Sequence, residues 1–184
     1  MGDALSRTIS FEYLLKEVVM PVANAQGSRH IWLWVSKRPA RMAEFSRWLD
    51  DHGVEWPERL VAMTTVTGPE TVGRIAQLRQ VNSRYRGLSF EPLWAEVTPE
   101  LDGIDWAIVG GESGGIARPF HLEWMEQLRD ICHKSRVAFF AKQAGRRPFF
   151  RGQPLNLVDP HGGDWNEWPE HLRVRELPDA WRLS

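Results

Sequence analysis

Hydrophobic positions along the chain follow two different spacings, which predict alternating helices and strands. Positions 11–19 carry apolar residues at helical spacing, after Ser10, whose side chain suits a helix N-cap, and before Pro21, which ends the pattern. Ile31 to Val35 is instead a short continuous apolar run of the kind that buried parallel strands show. The first segment is therefore predicted to be an amphipathic helix and the second a buried strand.

The same alternation continues to residue 141. Helices are predicted at 39–53, at 72–81 and from Pro119 to Ile131, because apolar residues recur there every three or four positions. Apolar runs at 60–66, 87–93, 106–109 and 137–141 predict four more strands. Five strands, most of them separated by helices, favour an α/β fold with a parallel sheet and right-handed crossovers, either open or curled toward a barrel.

The pattern changes at Gly145. Residues 145–184 contain five prolines and few periodic apolar positions, which predicts an irregular C-terminal segment. Its aromatic residues would hold it against the rest of the chain: Phe149, Phe150, Trp165, Trp168 and Trp181. The predicted organisation is a β/α domain over 1–144, with residues 145–184 wrapped on it.

Composition narrows the function classes. A chain of 184 residues is the size of one domain, and 23 Lys+Arg against 24 Asp+Glu disfavours a globally basic nucleic-acid binder. No apolar run approaches the roughly 18 residues that span a bilayer, and no export signal is visible, so a cytoplasmic protein without membrane association is expected. The single cysteine excludes a cysteine-only metal or iron–sulfur site made by this chain alone.

Polar residues follow the predicted strands at the edge where parallel sheets bind their ligands. These residues form a candidate ligand-binding rim: Lys37, Arg38, Glu91, Gly110, Gly111, Glu112, Ser113, Lys142 and Gln143. Their mixed charges suit a phosphorylated or zwitterionic ligand. The alternative is that strand ends are polar simply because they meet water.

The glycine-rich loop 110–115 permits close backbone approach, and its amides would suit an anion. The loop matches neither the phosphate-binding pattern nor the dinucleotide fingerprint. Ser113 lacks the nucleophile elbow of serine hydrolases, and the six histidines show no metal-ligand spacing. No catalytic residue and no metal site is predicted.

Charge is unevenly spread in the second half of the chain. Residues 134–151 hold six Lys and Arg and no acidic residue, interleaved with phenylalanines, as in a groove for single-stranded nucleic acid. A solvated basic face is the alternative. The candidate residues for contact with nucleic acid or a protein partner are Arg146, Arg147, Arg151, Trp165 and Trp168.

Five short motifs follow one another along the chain: Lys37-Arg38-Pro39, Ser89-Phe90-Glu91-Pro92-Leu93, Val109-Gly110-Gly111-Glu112-Ser113-Gly114, Arg118-Pro119 and Phe140-Ala141-Lys142-Gln143. In this order and spacing they resemble the phage-associated gene-product thirty-seven/sixty-eight family, radical-SAM-like proteins of largely unknown function. The resemblance covers the chain from about residue 11 to its C-terminus.

The resemblance also implies that this chain lacks the cluster-binding motif of the family. Members carry, upstream of this region, a cysteine-rich motif that would bind a [4Fe–4S] cluster for cleaving S-adenosylmethionine, whereas this chain has only Cys132. The resemblance therefore implies an incomplete radical-SAM-like barrel that starts after the first strands and their cluster loop. No cofactor would be held by this chain alone, and an S-adenosylmethionine-like ligand at the rim stays open.

Three functions follow as hypotheses. The preferred one is a non-catalytic phage or mobile-element module that binds a protein, such as a host defence complex, and is not by itself an enzyme. A partial barrel exposes sheet edges and apolar surface, which its own tail, a second copy or another protein must cover. The alternatives are the C-terminal half of a split radical SAM enzyme, whose cluster a partner chain supplies, and a nucleic-acid-binding accessory protein.

Overall fold

The computed structural model describes residues 4–181, which form two compact units. The first unit comprises the chain up to Thr65 together with Gly73–Gly87, and the second comprises Val66–Val72 and the chain from Leu88 onward. The predicted boundary at residue 144 falls inside the second unit, so the division of the structure differs from that prediction. Residues 1–3 of the predicted β/α domain and residues 182–184 of the predicted C-terminal segment lie outside the described residues.

The first unit opens with the helical segment that its apolar spacing predicts. Ser10 caps it, because its side chain accepts a hydrogen bond from the amide of Tyr13 at 3.2 Å. The segment runs through α1 (Phe11–Leu14), a π-helical stretch (Leu15–Val19) and α2 (Met20–Ala23). The remaining helices and strands of the unit are β1 (Trp32–Ser36), α3 (Pro39–Asp51), β2 (Leu60–Thr65) and α4 (Arg74–Leu78).

Aromatic packing between α3 and β1 builds the core of the first unit. Trp34 of β1 stacks on Trp56 with ring centres 5.7 Å apart, and it meets Phe45 of α3 edge-on at 5.8 Å. Every residue of β2 is buried. Of the four apolar positions that predict α3, Met42, Phe45 and Leu49 are buried and Trp48 is half-buried.

The second unit is built around β4 and α5. Strand β3 (Arg86–Phe90) begins in the first unit and ends in the second. Its further elements are β4 (Trp106–Gly110), β5 (Phe120–His121), α5 (Leu122–Ser135), β6 (Ala138–Gln143), β7 (Pro148–Phe150) and β8 (Gln153–Pro154). Helix α5 buries Leu122, Met125 and Leu128 as predicted, but Ile131, which the spacing also predicts to be buried, is half-buried, and Cys132 is buried instead.

The predicted α/β fold with a five-stranded parallel sheet is confirmed. The strand order is β1-β2-β3-β4-β6. Trp32 pairs with Leu60 in the parallel β1–β2 register, and Trp106 pairs with Ala138 in the parallel β4–β6 register. The order is open, with β1 and β6 as its terminal strands.

Strand β1 is where the predicted strand differs most from the observed one. Its continuous apolar run predicts burial on both faces, yet Trp32, Leu33 and Val35 are 42%, 43% and 44% exposed. The prediction of a buried strand is therefore wrong for β1. The physical reason is its position: it is the terminal strand of the sheet, and it pairs with β2 along one side.

The tail is more ordered than its composition predicts. Strands β7 and β8 form a second, three-stranded sheet with β5. Farther on, Phe140 of β6 bridges Arg175 in antiparallel fashion, and the amide of Ala141 donates to the carbonyl of Val174 at 2.8 Å. The tail thus covers the free edge of β6. Trp168 and Trp181 are 2% and 7% exposed, so they pack inside the second unit.

Across residues 4–181, every helix is too short or too polar to cross a membrane.

Candidate functional site: the strand-end rim and the edge of β1

The strand-end rim of the second unit contains a salt bridge between two predicted site residues. The ammonium of Lys142 donates to both oxygens of the Glu91 carboxylate, at 2.8 and 3.0 Å. The Glu91 side chain is 19% exposed and that of Lys142 is 50% exposed. Glu91 follows β3 directly, at a cis peptide bond to Pro92, and Lys142 lies near the end of β6.

A register shift in the sheet accompanies this pairing. Val109 pairs with Ala141, but the next residue, Gly110, pairs with Gln143, so Lys142 is the extra residue of a β-bulge. Bulges bend a strand and change the direction of a side chain, and they recur beside functional sites. Here the bulged residue is the one that reaches Glu91.

The two glycines that follow β4 allow tight packing. A Cβ on Gly110 would lie 3.1 Å from Gln143 Cγ, and a Cβ on Gly111 would lie 2.6 Å from the Ala144 carbonyl oxygen. The Gly111 amide donates to the Gln143 carbonyl at 3.1 Å, and Gln143 Nε2 returns a bond to the Gly111 carbonyl at 2.9 Å. These contacts explain both glycines by close approach of the chain to itself.

Glu112 is engaged by a residue that the rim prediction omits. Arg118 donates to its carboxylate from Nε at 2.9 Å, from Nη2 at 3.1 Å and from the backbone amide at 3.1 Å. These bonds lower the pKa of Glu112 and raise that of Arg118. The guanidinium also lies 3.9 Å from the ring centre of Trp94. A cation six residues after Glu112 was the available sequence signal.

The remaining charged and polar rim residues take part in neither of these two salt bridges. Ser113 is half-buried beside Glu112. Lys37 and Arg38 follow β1 in the first unit, where both are exposed. The turn after β1 is fixed by Ser36, whose side chain accepts from the Arg38 amide at 3.0 Å and whose carbonyl accepts from Thr64 Oγ1 at 2.8 Å.

The basic segment after β6 places cations over aromatic rings. The guanidinium of Arg147 lies 5.9 Å from the ring centre of Phe149, and that of Arg151 lies 5.0 Å from the ring centre of Phe150. Both arginines and Arg146 are exposed, and the two rings are half-buried.

Of the two tryptophans predicted as contacts, Trp165 is half-buried and Trp168 is buried. Arg175 lies 4.7 Å from the ring centre of Trp165 and 5.9 Å from that of Trp168. The contact role of these residues stays a prediction, and the structure assigns Trp168 a role in packing.

The residues of this chain do not fit an iron–sulfur cluster. Such a cluster needs several thiolates, and the only cysteine, Cys132, is fully buried on α5. Burial, reinforced by nearby Glu176, raises the pKa of its thiol to about 12, so it stays protonated. Within residues 4–181, no group of three His, Cys, Asp or Glu side chains is placed to hold a metal ion.

The outer edge of β1 carries three large apolar residues that are exposed, Trp32, Leu33 and Val35. The Trp32 amide donates to the Arg59 carbonyl at 2.8 Å, on the β2 side. Because backbone groups alternate in direction along a strand, those of Leu33 and Val35 face the opposite side. We call this side, with the side chains of Trp32, Leu33 and Val35, the open edge of β1.

These features define an α/β protein with an open parallel sheet, a salt-bridged strand-end rim and an exposed terminal strand. A family model matches residues 1–159, which is most of the chain. The chain belongs to that family, described as Protein of unknown function (DUF5131). No curated protein and no solved structure matches the chain.

Proposed function

We propose that this protein is a non-catalytic binding module that associates with a protein partner through the open edge of β1. Strand edges with free backbone groups are templates for pairing with another chain, and natural proteins protect them with charge, proline, bulges or a covering segment. The edge of β6 has such a cover in the tail around Arg175. The open edge of β1 carries apolar side chains instead.

One observation carries the proposal: the apolar pattern of β1 is that of a strand covered on both faces, but its side chains are exposed. In the β1–β2 register, Leu33 lies opposite Val61 and Val35 opposite Met63. Val61 and Met63 are completely buried, whereas Leu33 and Val35 are 43% and 44% exposed. A protein partner that covers β1 would complete the burial that its sequence encodes.

The rim supports a role other than catalysis. The charged rim side chains of the second unit are bound to charged neighbours, Glu91 to Lys142 and Glu112 to Arg118. A group used as a general acid or base needs access to its substrate and a pKa matched to the task. The pKa of Glu112 is moved downward, away from the neutral range where a general acid would work.

The sequence motifs suggest the origin of the module. We infer a phage or mobile-element protein derived from a radical-SAM-like barrel, in which the sheet has kept its stability and changed its use. Inhibition of a host defence complex is one form that such binding would take. A partner carrying the cysteine-rich motif would instead make this chain the C-terminal half of a split radical SAM enzyme.

Affinity purification with a matched control tests the proposal. The tagged protein, its Leu33→Asp/Val35→Asp variant and an Ile116→Asp/Val158→Asp variant are isolated from native cells. Ile116 and Val158 are 98% and 91% exposed, so the control changes the same number of exposed apolar residues away from β1. The same stoichiometric partner should accompany the wild type and the control and be lost from the β1 variant.

Two results would overturn the proposal. One is a partner retained equally by the β1 variant, and the other is the absence of any stoichiometric partner. Circular dichroism and thermal melting must show that both variants are folded. A brown sample whose partner contains clustered cysteines would favour the split enzyme over the non-catalytic module.

A second function is favoured by the cations above Phe149 and Phe150. Exposed arginines beside accessible rings suit single-stranded nucleic acid, with phosphates on the cations and bases on the rings. Arg147 and Arg151 meet this description. An accessory nucleic-acid-binding role predicts binding to an oligonucleotide that weakens steeply with salt and is lost in Arg147→Ala/Arg151→Ala.

A further inference from the structure

We propose that the partner protein pairs with β1 through an extended segment, which adds a strand to the sheet. This segment would have about five consecutive apolar residues, with carboxylate side chains at both ends. This inference rests on the proposed function and names the chemistry of its partner. It commits to a strand of a different protein as the occupant of the open edge.

The backbone of β1 sets the length and form of the occupant. β1 has five residues, and its outward-facing backbone groups belong to Leu33 and Val35. Two amides and two carbonyls are therefore placed to pair with an extended segment. A strand of similar length would use all four, since neighbouring strands pair at a spacing of about 4.8 Å.

The side chains of β1 set the apolar character of the occupant. Trp32 and Trp34 lie on the face of the strand that α3 covers, while Leu33 and Val35 lie on the other face. Since Trp32, Leu33 and Val35 are all more than two-fifths exposed, apolar surface is available on both faces. An added strand that meets both faces would be apolar at successive positions and not only at alternate ones.

The charged residues that flank β1 determine which side chains would suit the two ends of the occupant. Residues 18–43 contain Arg29, Lys37, Arg38 and Arg41 and no acidic residue. Arg29 precedes β1 and Lys37 follows it, and both residues are exposed. An apolar strand with cations at both ends is complementary to one with carboxylates at both ends, in either strand direction.

The same charges disfavour a second copy of this chain as the occupant. Antiparallel pairing of two β1 strands about Trp34 would set His30 of one copy opposite Arg38 of the other. A second copy would bring no carboxylate to Arg29, Lys37 or Arg38 in this register, because residues 18–43 contain no acidic residue.

Binding of a designed peptide tests the inference on the whole chain. The probe is a fluorescent Val-Ile-Val-Ile-Val peptide with two aspartates at each end, and the matched control carries lysines in place of the aspartates. Anisotropy should show binding of the aspartate peptide and binding at least about tenfold weaker for the lysine peptide. Raising the salt concentration to about 0.5 M should weaken binding of the aspartate peptide and reduce the difference in affinity between the two peptides.

Two variants probe each half of the inference. Lys37→Glu should weaken binding of the aspartate peptide about threefold or more. The control Lys16→Glu, at a lysine on the π-helical stretch whose side chain is 77% exposed, should leave this binding unchanged. Leu33→Pro removes an outward amide that the β1–β2 ladder does not use, and it should weaken binding about tenfold relative to Leu33→Ala. A peptide methylated at its backbone amides gives the same information without altering the protein.

The outcomes separate this inference from the proposed function. Equal binding of the two peptides, unchanged binding of the methylated peptide, or no binding of the aspartate peptide overturns the inference. Concentration-dependent dimerisation lost in Leu33→Pro would assign the edge to a second copy and overturn it too. If the Leu33→Asp/Val35→Asp variant still loses its cellular partner, the proposed function stands while the inference about its chemistry fails.

Discussion

Leu33 lies opposite Val61 in the parallel register of β1 and β2, yet 43% of Leu33 is exposed while Val61 is completely buried. On this face of the sheet, side chains are therefore much less buried on β1 than on the neighbouring strand β2. The two residues have the same apolar chemistry and differ in what surrounds them. This contrast underlies the assignment of β1 as the docking strand.

The contrast predicts different energetic costs for one substitution on neighbouring strands. Val61→Ala should lower the free energy of unfolding by about 2 kcal/mol, because it removes buried methyl groups and leaves a cavity. Val35→Ala, at a residue 44% exposed, should cost about 0.5 kcal/mol in the isolated protein. Urea unfolding of the two variants measures both values. Equal costs would show that β1 is covered in solution by something other than β2 and α3.

Gly145 and Gly103 provide a second matched pair. Both have a positive φ, of 76° and 70°, but a Cβ on Gly145 would lie 2.8 Å from the Glu112 carbonyl oxygen, while a Cβ on Gly103 meets no atom within 4 Å. Gly103→Ala should cost about 1 kcal/mol for its backbone conformation alone. Gly145→Ala should cost about 3 kcal/mol, since the rim must also move. Equal losses in thermal unfolding would contradict this packing of Gly145 against Glu112.

The pH dependence of stability should include a contribution from Asp159. Its carboxylate accepts hydrogen bonds from the amides of His161, Gly163 and Asp164, which lower its pKa. A lowered pKa in the folded state adds stability that is present above the unfolded value of about 3.9 and is lost as the pH falls through the folded value. Asp159→Asn should therefore melt below the wild type at neutral pH, and this difference should shrink in acid.

Melting temperatures between about pH 3 and pH 7 test this expectation. Glu55→Gln, which replaces an exposed carboxylate of the first unit by an amide, is the control for the loss of charge alone. A deficit of Asp159→Asn that stays constant down to the acid limit would assign its effect to side-chain geometry instead of charge.

The salt bridge between Glu91 and Lys142 should stabilise the rim modestly. A double-mutant cycle of Glu91→Gln and Lys142→Met is expected to give a coupling energy of about 0.5–1 kcal/mol, because Lys142 is half-exposed and water screens the pair. The exposed Arg84–Glu58 pair, at 59% and 62%, should show a coupling below about 0.3 kcal/mol. The same small value for both pairs would mean that the bulge at Lys142 does not fix the interaction.

The sequence predicts the main elements because long periodic segments determine them locally. The five parallel strands and α5 follow from apolar spacing, and the Ser10 cap follows from its hydrogen-bonding side chain. Strands β5 and β8 have two residues each, which is too short for any period to be visible. Those elements depend on pairing between distant residues.

The candidate site is predicted in part for the same physical reason. Strand ends of a parallel sheet converge, so Glu91 and Lys142 follow from topology. The pairing of Glu112 with Arg118 depends on the path of an irregular loop, which residue type alone does not specify. The exposure of β1 was missed because an apolar run shows that a strand prefers to be covered and not what covers it.

Hydrogen exchange at the backbone amides of Leu33 and Val35 tests the central claim most directly. Both amides face the open edge of β1, so in the isolated protein they should exchange much faster than the amides of β2. In the complex with the protein partner, they should become strongly protected while the exposed loop 114–116 does not. If the partner binds at full occupancy and leaves these two amides as fast as before, β1 is not the docking strand.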